Sequence, residues 1–181
     1  MTAPTAPPVP RATRHHRHSD LPAKDPITVV AGPYGHPFHP ILVTIPIGTW
    51  VASLVFDIIA FFAGDPTPYV VGARVLILIG LIGAVLAAAI GFLDFSIIPR
   101  NTAARRTATI HMALNLTATV LFLINLLVRW NADDDDVSIL GFILSIVGLG
   151  IIGASGWLGG KLAYHYGVRV ADERTQAEGF R

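Results

Sequence analysis

Along the chain, apolar and polar positions alternate on a long scale: four extended apolar runs are separated by short polar breaks. The runs cover about His39 to Phe62, Val70 to Phe95, Thr107 to Trp130 and Val137 to Tyr164. Each holds at least ~20 residues, which at 1.5 Å per residue crosses a hydrocarbon core of ~30 Å. Helices satisfy their own backbone N–H and C=O groups, which lipid cannot do, so the runs predict transmembrane helices. The breaks are Asp65-Pro66-Thr67-Pro68, the link from Pro99 to Arg106, and Asn131 to Asp136 with its four consecutive aspartates. Connections this short make consecutive helices antiparallel neighbours. The pattern therefore predicts an all-α fold, a four-helix transmembrane bundle running up-down-up-down over residues 33–170.

Outside the runs the chain reads differently. Residues 1–32 are rich in Pro, Ala, Arg and His and lack a hydrophobic period. A segment of that kind cannot offset its ordering entropy, which predicts a disordered cytoplasmic tail. No apolar run follows the basic stretch, so it does not read as a secretory signal. Arg14-His15-His16-Arg17-His18 reads as a solvated basic cluster near anionic headgroups. Residues 171–181 form a second cytoplasmic tail.

Composition agrees with the pattern. Hydrophobic residues make up 52% of the chain and charged ones 14%, against about 25% charged in a soluble domain. A net charge of +1 gives no sign of a nucleic-acid partner. The absence of cysteine excludes disulfides, thiolate metal sites and a cysteine nucleophile. Basic residues set the expected orientation: eleven of the 13 Lys and Arg fall in the N-terminal tail, the central link and the C-terminal end from Lys161 onward, and only Arg74 and Arg129 fall near the other side. The positive-inside rule then puts both termini in the cytoplasm.

Ionisable residues within the spans are costly in lipid, so each calls for a reason. Asp57 and Arg74 lie at similar depth on helices joined by a tight turn, which predicts a structural ion pair. The other end of the bundle is richer. His36 and His39 open the first helix, Asp94 ends the second, His111 and Asn115 lie in the first turns of the third, and Lys161 and His165 end the fourth. Facing imidazoles at equal depth suit the axial positions of a haem iron, with His39 and His111 as first choice and His36 and His165 in reserve. His36, His39, Asp94 and His111 are the alternative, a metal-ion set. A proton path is a third use. Against these stands a plain structural role, with the histidines capping, snorkelling or bonding neighbouring helices, and Asn115 and Lys161 in support. Small-residue stripes, Gly80-Ala84-Ala87-Gly91 on the second helix and Gly141-Ser145-Gly148-Gly153-Gly156-Gly160 on the fourth, read as bundle packing. No inverted internal repeat is apparent.

Several of these residues also carry a resemblance. Gly35-His36-Pro37-Phe38-His39-Pro40-Ile41-Leu42 and Ile45-Pro46-Ile47-Gly48 resemble the opening of a bacterial membrane protein family, domain of unknown function 2231. Asp57, Asp94, His111-Met112-Ala113-Leu114-Asn115 and Gly156-Trp157-Leu158-Gly159-Gly160-Lys161-Leu162 fit the same pattern, over about residues 33 to 170. Two departures are Thr44, where the family often has His, and Tyr164-His165-Tyr166-Gly167, which shifts a closing His by one place. The resemblance implies four helices in a bacterial inner membrane, and some relatives accompany Rieske-type redox modules, which implies a redox partner or other membrane subunits. Three functions follow as expectations: a b-type haem or metal site for electron transfer, a non-catalytic structural or accessory subunit, and a transporter. Enzyme chemistry has no motif behind it, since Ser-His-Asp, phosphate-loop and His-Glu-x-x-His patterns are missing.

Overall fold

The structure, a computed structural model, describes residues 23–32 and 36–180. It is all-helical, with four helical spans long and apolar enough to cross a membrane: His39–Ala60, Thr67–Ser96, Ala103–Trp130 and Ile139–His165. The first span joins two helices, α1 (His39–Leu42) and α2 (Thr44–Ala60); α3 (Thr67–Ser96) and α4 (Ala103–Trp130) are the next two spans. The last is α5 (Ile139–Gly160) followed by one π-helical turn, Lys161–His165, and a short α6 (Glu173–Glu178) closes the chain.

Local chemistry sets the element ends. Pro46 has no N–H to give the carbonyl of Leu42, and the chain turns at Val43 before α2 resumes. Thr102 caps α4 by accepting from Arg105 N–H at 3.1 Å, and Ser138 caps α5 by accepting from Gly141 N–H at 3.2 Å. At α6, hydrogen bonds from the Thr175 and then the Arg174 amide hold the Asp172 carboxyl below its ordinary range.

Spans one and two form one tight hairpin, spans three and four another, and the two hairpins pack side by side. Spans one and three therefore face each other diagonally across the bundle axis. The exterior is apolar: Val85, Leu116, Val120 and Trp157 are all exposed. The interior holds Ser53, Asp57, Asn125, Arg129, Ser145 and Ser155, each at most 1% exposed. That inside-out distribution suits a lipid surround and could not stand in water.

Three pairs of side chains line the axis from spans one and three. His39 meets His111, with ring centroids 6.3 Å apart; Trp50 stacks on Phe122 at 3.9 Å; Asp57 and Arg129 form a bidentate ion pair at 2.7 and 2.5 Å. Each pair is 72 positions apart in sequence. Spans two and four repeat in the same way at an offset of 68: Gly80 underlies Trp50 as Gly148 underlies Phe122, and Gly91 underlies His39 as Gly159 underlies His111. The two hairpins are thus structural repeats related by a pseudo-two-fold along the bundle axis. This is a parallel repeat, distinct from the inverted kind sought in the sequence.

Two expectations are corrected here. At the start of the described chain, Ala31 is fully buried and Arg169 N–H donates to Ala23 O at 2.8 Å. The expected disorder of residues 1–22, with the basic cluster Arg14 to His18, lies outside the described residues. Asp57 does not pair with Arg74. On α3 it is Ala73 and Ile77 that face the axis, and one residue on from Ala73 turns Arg74 by ~100°, out toward the carboxylate of Asp134. Asp57 is met instead by Arg129 across the axis. The small stripe of α5 also divides. Gly141, Ser145 and Gly148 are buried, but a methyl at Gly150, Gly153 or Gly156 would meet nothing within 4 Å.

Candidate functional site

At the end of the bundle where both termini emerge, His39 and His111 share the axis. His39 sits in the first turn of α1 and lies flat against α3, where Gly91 leaves the space: a methyl there would come within 2.8 Å of the ring. His111, two turns into α4, lies against α5 at Gly159 in the same manner. A carbonyl can only accept a hydrogen bond, so two contacts fix both tautomers. His39 Nδ1–H donates to Ala87 O at 2.9 Å, and His111 Nδ1–H donates to Ser155 O at 2.8 Å. Ala87 and Ser155 are themselves equivalent positions of the two repeats. In the neutral imidazole form each ring would thus have its lone pair on Nε2, and the ring planes stand at 86° to each other.

The surrounding groups break the symmetry. Asn115 Nδ2 lies 3.1 Å from His111 Nε2 and donates to the His111 carbonyl at 2.9 Å. Ser155 Oγ lies 2.9 Å from His111 Nδ1 and donates to the same carbonyl at 3.2 Å. Asp94, at the end of α3, faces Arg169, whose Nε approaches Oδ1 to 2.9 Å. That approach is an ion contact without hydrogen-bond alignment, and both atoms lack a hydrogen-bond partner.

The other residues expected at this site are not part of the pair. His36 is exposed at the mouth of the bundle. His165 is exposed in the π-helical turn and touches only the Tyr166 ring among the described contacts, at 4.8 Å between centroids. Lys161 is exposed over the same tyrosine. His36, His39, Asp94 and His111 thus do not gather, and among the described residues no three His, Asp or Glu come together in a metal-holding group. Arg169 and Ser155 were not singled out in the sequence. Ser155 lies four residues before Gly159 on the face that meets His111, while Arg169 lies beyond the apolar runs and carries no periodic signal.

The predicted membrane protein family DUF2231 matches residues 35–172. The chain belongs to this family. The match takes in all four spans and both histidines of the axial pair, so the DUF2231 bundle and its axis are the unit described above. No curated protein and no solved structure matches the chain.

Proposed function

We propose that this DUF2231 protein holds a b-type haem between His39 and His111 and serves in electron transfer at a membrane face. The observation that carries the reading is the pair of matched tethers: each ring gives its Nδ1–H to a main-chain carbonyl of the neighbouring span. Ligating histidines are commonly oriented in this way, with the tethered Nδ1 leaving Nε2 basic and directed. Two imidazoles fall short of the three or four protein ligands of a zinc site, whereas His39 and His111 would be the residues to hold a haem iron. When bound, the haem would supply the one-electron chemistry; the protein would contribute the two ligands and their tethers.

The basic tails and central link favour an orientation with this end of the bundle and both termini on the cytoplasmic side of a bacterial inner membrane. A redox partner would then approach from the cytoplasmic side.

One contact favours a second reading. Asn115 Nδ2 occupies the lone-pair side of His111 at 3.1 Å, which suits a non-catalytic accessory subunit whose polar layer joins helices. Titrating purified protein with haemin separates the two. Under the haem reading a Soret band develops, His39→Ala and His111→Ala each abolish it, and Asn115→Leu binds at least as tightly because Nε2 is released. Failure of the unsubstituted protein to bind haemin rejects the haem reading; loss of helix stability in the same alanine variants then supports the accessory role.

A further inference from the structure

At the end of the bundle that holds the histidines, residues 23–32 cross the helix ends, and Arg169 fastens them. Residues 23–32 run across the ends of α1 and α3: Phe38 N–H donates to Ala31 O at 3.3 Å, and the turn at Val29–Ala31 packs on α3. Ala31 is fully buried beneath it. Gly32 makes the crossing possible. Its φ of +146° is open to glycine, and a methyl there would lie 1.8 Å from His36 O.

Arg169, from the opposite end of the chain, holds this strap from three sides. Its backbone N–H donates to Ala23 O at 2.8 Å, Nη1 to Lys24 O at 3.4 Å, and Nη2 to Ala31 O at 3.2 Å. Nε turns the other way, to Asp94 on α3 at 2.9 Å. The residue is 8% exposed and sits at φ +59°, a left-handed conformation that side chains other than glycine seldom adopt. Backbone strain at a buried arginine persists where the surroundings over-determine it, and here four contacts on two segments, the strap and α3, do so.

We propose that Arg169 is a latch, closing the residue 23–32 strap over the His39 end of the bundle and so controlling access to that end from the aqueous side. A guanidinium fits the task because its planar fork can serve several carbonyls and one carboxylate together. The bonds joining Nη1 and Nη2 to the strap run at 3.2–3.4 Å, and the ion contact to Asp94 is not aligned. These are the weaker contacts of a closure that opens while the spans stay folded. The latch goes beyond the haem reading and does not depend on it.

Hydrogen exchange on the full chain in detergent, with no haem added, tests the latch. Arg169→Gly suits the strained backbone while removing the side chain; Asp94→Asn breaks the latch from the α3 side. In both variants exchange over residues 23–32 should rise at least about tenfold while the interior of the spans is unchanged, and modification of His39 by diethyl pyrocarbonate should accelerate with it. Strap exchange equal to that of the unsubstituted protein in Arg169→Gly would overturn the proposal. So would exchange that rises equally in the strap and in the spans, because the residue would then support the whole fold.

Discussion

Removing the Asp57 carboxylate would leave the Arg129 guanidinium, 1% exposed, with a charge and no counter-charge. Asn125 Oδ1 accepts from its Nε at 2.7 Å, and Ser145 Oγ stands 3.4 Å from Nη2. Neither neutralises it. Breaking one partner of a buried pair typically costs about 3–5 kcal/mol, whereas replacing both with apolar groups of similar volume is often neutral. Asp57→Ala should therefore destabilise by that amount, and Asp57→Leu with Arg129→Met should recover most of it, as read from unfolding in mixed micelles. A loss below about 1 kcal/mol for the single variant would place the pair in contact with water rather than on a dry axis.

Among the helices, the sequence announces where each span lies but not which way it faces. The four runs were legible because apolar length alone identifies them. The partner of Asp57 was not, because Arg74 and Arg129 lie at the same depth and only azimuth separates them. A signal was present: Ser53 and Asp57 are four apart, as are Asn125 and Arg129, and the two sets are 72 positions apart. That spacing, extended to Trp50 with Phe122 and His39 with His111, is the parallel repeat. The glycines were legible as small but not as inward or outward, and their faces now make opposite predictions. Gly91→Ala puts a methyl 2.8 Å from a ring that is tethered to Ala87 O and cannot swing away. Overpacking of this kind costs about 1–3 kcal/mol. Gly153→Ala meets nothing and should gain up to about 1 kcal/mol from helix propensity. Thermal unfolding of the two variants checks both signs; equal effects would mean that the α5 face is covered by something other than lipid.

For the whole molecule, charge separates the two ends of the bundle. The Asp133–Asp136 loop and the exposed Trp130 mark one end, the central link and both tails the other. The chain contains no cysteine, so single introduced cysteines report orientation directly. In intact cells a membrane-impermeant maleimide should label Asp135→Cys and spare Thr175→Cys. The reverse pattern would invert the bundle and put the histidines outside. Either way, among the described residues the His39–His111 pair is where both repeats bring a titratable ring to the axis. The most direct measurement is electron paramagnetic resonance of the ferric haem-loaded protein. Two imidazoles with planes at 86° should give a highly anisotropic low-spin signal that disappears in both His39→Ala and His111→Ala. A high-spin signal, or a low-spin signal that survives either substitution, would contradict the axial pair.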